Sequence, residues 1–268
     1  MSRSLKRLLA VVAIGYLAIV GLMSTLETSL IFFPPELPPG WLADQARRSG
    51  AEELQLTAED GTTLYAWWAP ARGERAVVVF TGNAGTVGAN PGLYERFTDA
   101  GLDVLHVNYR GYPGSTGTPS EEGLRMDARA AWAEARRRVS GPVSIYGKSL
   151  GGGVAVGLAS EVDAAALVLD STFESVLRVA SEAYPWLPVR LVLKNRFRSD
   201  LLAPEVRCPT LLVHGTDDEV VPHVHGESLV QRFTAPARLL SLPGGMHNDD
   251  HLARPEVLAA VLAHLRGG

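Results

Sequence analysis

The residues with the clearest chemical potential form a short glycine-rich turn, Gly147-Lys148-Ser149-Leu150-Gly151. An apolar, strand-like run at residues 143–146 precedes this turn, and a helical pattern of small residues at 153–160 follows it. In a strand-turn-helix of this kind the serine occupies a strained turn, and glycines are needed because larger side chains would clash where the backbones approach. The free N–H groups and the dipole at the start of the helix favour the negative charge that develops during acyl transfer. The pattern predicts a nucleophile elbow with Ser149 as the attacking group.

A serine nucleophile requires two partners further along the chain. The hydroxyl is weakly reactive at neutral pH, so it needs a histidine base, and the histidine needs a carboxylate that orients it. With a nucleophile elbow the chain order is serine, acid, histidine, and the last two lie on loops after late strands. Two loops fit this order, at residues 214–222 and 243–249. His247 is the predicted base because it follows a flexible Pro-Gly-Gly turn beyond the last strand.

The acid has more than one candidate. Asp217 and Asp218 are adjacent in the first loop, and Asp170 stands at the end of an earlier strand. Counted back from Pro222, which should fix the start of the next helix, Asp218 best matches the position of the acid. Asp217 is the second candidate, and Asp170 is a third because some enzymes with an elbow take their acid one strand earlier.

A tetrahedral intermediate also needs two hydrogen-bond donors for its oxyanion. The backbone N–H of Leu150, directly after the serine, is the first. The loop at residues 80–85 follows a strand-like run, and its Gly82 permits a close backbone approach. The N–H of Asn83 is therefore predicted as the second donor, with a plain turn as the alternative reading of this loop.

The other histidines and the cysteine have simpler interpretations. Packed or solvated positions are expected for His106, His214 and His264, and Cys208 opens an apolar run as a buried small residue. His247 and His251 lie four residues apart like metal ligands, but the zinc-protease pattern has Glu after the first histidine, where this chain has Asn248. No metal and no cofactor are expected.

The composition limits the classes of protein to consider. The 268 residues, 46% hydrophobic and 20% charged, are sufficient for one large α/β domain with a buried core. A net charge of −4 without a cluster of basic residues argues against a nucleic-acid partner. The single cysteine excludes an internal disulfide.

The amino-terminal segment is typical of a membrane anchor. Residues 8–26 are almost wholly apolar, with Arg3, Lys6 and Arg7 before them and no further basic residue until Arg47. By the positive-inside rule the amino end stays in the cytoplasm and the remainder lies outside it. We therefore predict an uncleaved transmembrane anchor within residues 1–30, with a cleavable signal peptide as the alternative.

The rest of the chain divides into a connector and one domain. Residues 31–50 are rich in proline and predict an extended, non-helical connector. Within the predicted domain, residues 51–268, an antiparallel hairpin around Asp60-Gly61 comes first, at the edge of the sheet, and strands then alternate with helices. The predicted strands of the alternating part are residues 76–80, 104–107, 143–146, 165–169, 210–213 and 237–242, and the clearest predicted helices are residues 120–139, 153–160, 223–233 and 255–266. This alternation predicts an α/β fold with a mostly parallel central sheet and helices on both faces.

One segment interrupts the alternation. Residues 172–199 are too long for a simple connection and predict a small helical cap over the carboxyl ends of the strands, where open α/β sheets bind ligands. Its aromatic residues, Tyr184 and Trp186, either shape a binding site or pack the cap onto the domain.

These features together resemble the α/β-hydrolase superfamily, and within it the membrane-anchored branch that includes protein depalmitoylases and bacterial serine-aminopeptidase-like hydrolases. The segments that carry the resemblance are Phe32-Phe33-Pro34, Gly82-Asn83-Ala84-Gly85, Asn108-Tyr109-Arg110-Gly111-Tyr112, Gly114-Ser115, Gly117, Pro119-Ser120-Glu121, the elbow, the Asp218 loop and Gly245-Met246-His247-Asn248. The resemblance implies an α/β-hydrolase fold, a Ser149-Asp218-His247 triad, and Asn83 and Leu150 as oxyanion donors. One departure is Thr81, where the family usually has histidine, so hydrogen bonding behind the oxyanion loop should differ.

Three functions fit this pattern, and one is favoured. The first is a membrane-tethered serine hydrolase that cleaves carboxylic esters or thioesters through an acyl-enzyme, acting on a small-molecule or lipid-like acyl substrate or on an acylated protein. The same residues could cut amides as a peptidase. A non-catalytic scaffold at the membrane is the third possibility, although such a scaffold would be expected to lack a member of the triad.

Overall fold

The computed structural model describes residues 1–71 and 73–267, and the described residues form one eight-stranded sheet. The strands are β1 (Glu52–Thr57), β2 (Thr63–Ala69), β3 (Arg75–Phe80), β4 (Leu102–Val107), β5 (Val143–Lys148), β6 (Leu167–Asp170), β7 (Thr210–Gly215) and β8 (Ala237–Leu242). Their order across the sheet is β1-β2-β4-β3-β5-β6-β7-β8. β2 pairs antiparallel with both of its neighbours, and the remaining pairs are parallel. The predicted mostly parallel sheet and its hairpin at one edge are confirmed.

Helices cover both faces of the sheet. They are α1 (Arg3–Ile31), α2 (Trp41–Arg48), α3 (Pro91–Asp99), α4 (Glu121–Arg138), α5 (Leu150–Glu161), α6 (Val176–Ala183), α7 (Val189–Val192), α8 (Ser199–Leu202), α9 (Val224–Val230) and α10 (Pro255–Gly267), with short 3-10 turns at Ala203–Glu205 and His251–Ala253. Successive residues of a strand face opposite sides of the sheet. Val78 therefore joins the core under α4 and α5, while Val77 and Val79 join the core under α3 and α10.

The helix α3 was absent from the helices we predicted. Its start carries a recognisable signal, because the Asn90 side chain accepts a hydrogen bond from the Leu93 N–H and Pro91 occupies the first turn. The helix is only nine residues long and its apolar residues are few. Its stability comes from burying Tyr94 and Phe97 against the sheet, which is a tertiary effect that the local pattern does not display.

The segment before β1 differs from the extended connector predicted for residues 31–50. The prolines are confined to positions 34–39, and Gly40, with φ of 76°, then turns the chain into helix α2. α2 has Asp44 in its first turn and basic residues in its last, which suits the helix dipole. Ala46 of α2 and Phe32 are both buried in the cores of the domain. The chain is therefore packed on the body of the protein well before residue 51.

The segment predicted as a cap, residues 172–199, contains α6 and α7 and ends where α8 begins. A small apolar core holds it together, formed by Leu177, Leu187, Val189 and Leu193. Residues of α1 pack on the same core, namely Val20, Met23 and Ile31. The cap is thus built partly from the amino-terminal helix.

Helix α1 has two unlike halves. Residues 1–19 are exposed, whereas from Val20 to the end of the helix one face is buried or half-buried against the cap. Among the helices of the described residues, α1 is the one long and apolar enough to cross a membrane, with a mean hydropathy of 2.2 over its most apolar stretch. Its length and composition suit either a membrane anchor or a signal sequence.

Neighbouring phenylalanines test how firmly the junction between α1 and the body is packed. Phe32 is 3% exposed and its ring meets that of Phe197 edge-on at 6.3 Å, whereas Phe33 is 47% exposed. We expect Phe32→Ala to lower the free energy of unfolding by about 3–5 kcal/mol and Phe33→Ala by less than about 1 kcal/mol. Chemical denaturation of the full chain in detergent micelles measures both. Equal effects would show that Phe32 is not part of a cooperative core.

Candidate functional site

Ser149 lies between β5 and α5 in a backbone conformation that non-glycine residues rarely adopt. Its φ is 52° and its ψ is −118°. The surrounding backbone holds this conformation: the Ser149 N–H donates to the Asp170 carbonyl at 2.8 Å, and the Ser149 carbonyl accepts from the Gly152 N–H at 2.9 Å. The Thr172 hydroxyl also donates to the Ser149 carbonyl at 2.9 Å. Strain of this kind persists only where neighbouring structure enforces it, and here the serine side chain is directed towards His247.

The glycines of the elbow are required by close backbone contacts. A Cβ atom on Gly151 would lie 2.2 Å from the Phe80 carbonyl oxygen, and one on Gly147 would lie 2.4 Å from the Gly151 carbonyl oxygen. Neither distance is compatible with a side chain. Both glycines are therefore required for the reason expected from the sequence, because a larger residue would clash where the backbones approach.

Ser149, His247 and Asp218 form one continuous hydrogen-bonded chain. The His247 Nε2 lies 3.0 Å from the Ser149 Oγ, and the His247 Nδ1 lies 2.8 Å from the Asp218 Oδ2. An ionised carboxylate can only accept, so Nδ1 carries the hydrogen and Nε2 is free to take the proton of the serine hydroxyl. The structure thus brings together the three residues predicted as nucleophile, acid and base.

The environment of Asp218 keeps its carboxyl group ionised. Its Oδ1 accepts hydrogen bonds from the N–H groups of Val220 at 3.0 Å and Val221 at 2.7 Å. Burial by itself raises the pKa of a carboxyl group, but the hydrogen bonds from His214, His247 and the Val221 backbone outweigh it and lower the pKa of Asp218. A carboxylate held in this state can fix the His247 tautomer and stabilise its protonated form.

His214 contributes to the acid in a way that the sequence did not indicate. We predicted a packed or solvated residue, and His214 is buried as a packed residue would be. Its Nε2, however, lies 2.8 Å from the Val221 carbonyl oxygen and 3.3 Å from the Asp218 Oδ2. Because a carbonyl only accepts, Nε2 carries the hydrogen, and its second contact is with the acid. The only signal in the sequence was its position four residues before Asp218.

The loops that carry Asp218 and His247 are joined to each other. A Cβ atom on Gly215 would lie 2.1 Å from the Gly245 carbonyl oxygen, so the two loops meet without space for a side chain. The Asp217 N–H donates to the same Gly245 carbonyl at 3.0 Å. The Asp217 side chain is exposed and accepts a hydrogen bond from the Thr216 hydroxyl, so the structure does not bring this second candidate acid to His247.

Asp170, the third candidate acid, is paired with a different histidine. Its Oδ1 lies 2.7 Å from the His251 Nδ1, and its Oδ2 accepts from the Tyr146 hydroxyl at 2.7 Å. Burial raises the pKa of Asp170, but the hydrogen bond with His251 and the charge of Lys148 outweigh it and lower that pKa to about 2. Burial alone would lower the pKa of His251, but the hydrogen bond to Asp170 outweighs this effect, and the pKa of His251 is raised. The pair adjoins the site, because the Asp170 carbonyl accepts the hydrogen bond from the Ser149 N–H, and no local sequence pattern connects its members.

The predicted oxyanion donors lie beside the serine. A Cβ atom on Gly82 would lie 3.4 Å from the Ser149 Cβ, which places the following residue, Asn83, at the edge of the site. Leu150 is the first residue of α5. Within the part of the chain that the structure describes, neither the Asn83 N–H nor the Leu150 N–H has a hydrogen-bond acceptor. Two free N–H groups are what an oxyanion requires.

Two tyrosines support the oxyanion loop from behind. The Tyr109 hydroxyl donates to the Thr81 carbonyl at 2.8 Å, and the Tyr112 hydroxyl donates to the Asn83 carbonyl. The Phe33 N–H donates to the same Asn83 carbonyl at 3.0 Å. These contacts give a structural role to the two tyrosines of the Asn108-Tyr109-Arg110-Gly111-Tyr112 motif. They also show how the loop is held where Thr81 replaces the usual histidine.

His106, His264 and Cys208 have structural positions. His106 lies in β4 with its Nδ1 2.6 Å from the Tyr94 hydroxyl, and burial lowers its pKa to about 3. The His264 Nε2 lies 3.2 Å from the carbonyl oxygens of Leu167 and Pro209. Cys208 is buried, which raises the pKa of its thiol to about 11. None of these groups has the environment of a nucleophile or base.

Two cavities of different polarity meet at Ser149. The first, of about 440 Å³, is mainly apolar and lies between α1, the cap and the elbow. The second, of about 500 Å³, is more polar and lies between the loop after β3, Lys148 and His247. Ser149 and Asn83 line both cavities. Of the cap aromatics, Tyr184 lines the apolar cavity, whereas Trp186 is largely exposed.

The pair of Asp170 and His251 predicts a specific pH dependence of stability. Because the pKa of folded His251 is raised, its contribution is complete below the ordinary histidine pKa of about 6.5 and declines as pH rises through the raised value. We expect the loss of unfolding free energy caused by His251→Gln to be larger at pH 6 than at pH 9. His264→Gln is the control, since burial lowers the pKa of His264 and gives the opposite trend. A loss that is independent of pH for His251→Gln would contradict the charged pair.

Sequence comparisons identify relatives over most of the chain. Residues 126–248, which include Ser149, Asp218 and His247, match the FSH1 serine hydrolase family. The chain is 37% identical over 267 residues to the uncharacterized protein Rv2307c of Mycobacterium tuberculosis, covering 95% of this chain and 94% of that protein. It is 40% identical over 167 residues to the alpha/beta hydrolase domain-containing protein aho-3 of Caenorhabditis elegans, covering 61% of this chain and 48% of that protein.

Structural comparison gives the same fold. The esterase Pf2001 of Pyrococcus furiosus superposes with a TM-score of 0.73 at 19% identity, covering 88% of this chain and 97% of that one. At 19% identity this structural similarity shows a shared fold only. The evidence for common ancestry comes from the sequence relatives. With its eight-stranded sheet, its elbow and these relatives, the chain is a hydrolase that belongs to the α/β-hydrolase superfamily.

Proposed function

We propose that the protein is a serine hydrolase that cleaves carboxylic esters or thioesters through an acyl-enzyme intermediate. The observation that carries the proposal is the unbroken hydrogen-bonded chain from the Ser149 hydroxyl through His247 to the ionised Asp218. Each member is held by its own surroundings before any substrate binds, so little reorganisation is needed for reaction.

In the proposed reaction each group has a distinct role. The Ser149 Oγ attacks the acyl carbon while its proton passes to the His247 Nε2, and the N–H groups of Asn83 and Leu150 receive the oxyanion. The intermediate then collapses, the bond to the leaving group breaks, and His247 returns its proton to the departing alcohol or thiol. A water molecule attacks the acyl-enzyme by the same steps in reverse and releases the carboxylic acid.

The two cavities support an acyl substrate. The bond to be cleaved would lie at Ser149, where the cavities meet, with an apolar acyl group on one side and the leaving group on the more polar side. An apolar cavity of about 440 Å³ is within the usual size range of small-molecule sites. The substrate class proposed is therefore a small-molecule or lipid-like acyl ester or thioester, or an acylated protein.

A fluorophosphonate probe tests the nucleophile. Treatment of the purified full chain followed by mass spectrometry is expected to locate one adduct on Ser149. Ser149→Ala should remove both the adduct and turnover of a panel of acyl esters, acyl thioesters and matched anilides. The preferred member of the panel separates esterase, thioesterase and amidase activity. Absence of an adduct, with no turnover by the native chain, would favour a non-catalytic scaffold.

Adjacent aspartates provide a matched test of the acid. Asp218→Asn removes the charge that fixes the His247 tautomer, and we expect kcat to fall by about 10⁴-fold with a small change in KM. Asp217→Asn alters an exposed side chain that does not contact His247, so its kcat should stay within about 2-fold of the native value. Similar losses in the two variants would remove Asp218 from the proposed role.

We also propose that α1 anchors the hydrolase in a membrane with its amino end in the cytoplasm and the catalytic domain outside. The apolar composition of α1 and the basic residues Arg3, Lys6 and Arg7 at its start support this orientation. In spheroplasts that express the full chain, external protease should remove a tag at the carboxyl terminus and leave one at the amino terminus. Protection of the carboxyl-terminal tag would show the opposite orientation. Release of the domain into the medium would show that α1 is cleaved.

A further inference from the structure

The buried face of α1 follows a helical repeat. The positions concerned are residues 20, 23, 24, 27, 28 and 31, all of them buried or half-buried, while Leu22 and Leu26 on the other side are exposed. A spacing of three and four residues selects one face of a helix. This face is turned to the cap, where Val20, Met23 and Ile31 join its core. The contact therefore has a defined register and is more than a flexible attachment.

A buried carboxylate fixes that register. Glu27 is the one buried residue of α1 and interrupts an apolar stretch. Its Oε1 accepts hydrogen bonds from the Lys194 N–H at 2.8 Å, from the Asn195 N–H at 2.7 Å and from the Asn195 side-chain amide at 3.2 Å. A buried carboxylate is costly unless its oxygens are bonded, so this position on α1 is tied to one place on the cap.

A second contact holds α1 further towards its amino end. The Tyr16 hydroxyl donates to the Trp186 carbonyl of the cap at 2.9 Å. The two attachment points, Tyr16 and Glu27, are 11 residues apart, which corresponds to about 16 Å along a helix. Two contacts at this separation fix both the position and the direction of α1 against the cap.

The apolar cavity at Ser149 lies between these two elements. Met23, Glu27, Leu30 and Ile31 of α1 line one side of it. The cap supplies much of the remaining lining, including Val179, Ala183, Leu187 and Val192, and Ser149 and Leu150 of the elbow also line the cavity. Without α1 this cavity would lose one wall and become an open groove on the cap.

We propose that α1 is part of the substrate site: the acyl chain of the substrate binds between α1 and the cap, with its carbonyl carbon at Ser149. This inference rests on the proposed function and adds its substrate class, a long-chain acyl ester or thioester. Met23 and Ser149 line the same cavity, so we expect a long acyl chain that fills it to contact Met23, and an acetyl group held at Ser149 to depend on Met23 much less. The amino-terminal helix then selects chain length as well as attaching the protein.

Two tryptophan substitutions on α1 test the proposal in the full chain in detergent micelles. Met23→Trp fills the cavity, and Leu22→Trp places the same side chain on the exposed face, where Leu22 is 57% exposed. The probes are p-nitrophenyl acetate and p-nitrophenyl decanoate. For Met23→Trp we expect kcat/KM to fall at least about 10-fold with decanoate and to stay within about 2-fold with acetate. Leu22→Trp should leave both values within about 2-fold of the native chain.

The outcomes separate this proposal from the proposed function. Labelling of Ser149 with diisopropyl fluorophosphate, a probe without a long chain, should be equal in the native chain and both variants, because this probe does not need the part of the cavity beside Met23. Equal losses with acetate and decanoate, or an unchanged rate with decanoate, would overturn the role of α1 while leaving the hydrolase intact. If Met23→Trp does not fold, Met23→Ala serves instead, since a larger cavity should raise the ratio of decanoate to acetate turnover. An unchanged ratio in that variant would also overturn the proposal.

Discussion

The close approach of three backbone segments around Ser149 is the constraint on which the site depends. The start of α5 lies against the end of β3 so closely that no side chain fits at Gly151, and the same is true where Gly147 meets α5. This packing holds the serine at a positive φ and presents its hydroxyl at the edge of the sheet. It also brings the loop after β3 beside the serine, so the proposed nucleophile and the proposed oxyanion donors are positioned by one feature.

A second layer of hydrogen bonds holds the reacting groups in place. Tyr109 and Tyr112 fasten the loop after β3, His214 and two backbone N–H groups hold Asp218, and the Lys148 ammonium group donates to the Asp249 carbonyl beyond His247 at 2.8 Å. The bonds of Tyr109, Tyr112 and Lys148 join separate loops at the carboxyl edge of the sheet, and the bonds to Asp218 hold the loop after β7 in its own conformation. The rigidity of the site therefore comes from the convergence of parallel strands on one edge.

Features formed by residues close together in the sequence could be predicted from it, whereas contacts between distant residues could not. The elbow, the hairpin and the alternation of strands and helices are local patterns, and the order of Ser149, Asp218 and His247 follows from them. The pairing of Asp170 with His251 and the bonds of Glu27 to the cap join residues 81 and 168 positions apart, which no local pattern records. We did not predict helix α2 because the prolines before Gly40 indicate an extended segment. These prolines end before the helix begins at Trp41.

The contact between Tyr16 and Trp186 has a consequence for the depth of the protein in a bilayer. Only residues 3–15 of α1 lie beyond it, and 13 helical residues extend about 20 Å, less than the roughly 30 Å of a hydrocarbon core. A membrane-spanning α1 thus carries its cap-bound half, and part of the cap, into the lipid. The cap surface there exposes Tyr184, Trp186 and Leu191, side chains suited to that environment. If α1 spans a membrane, the folded domain is partly immersed, with its apolar cavity at the level of the acyl chains of the lipids.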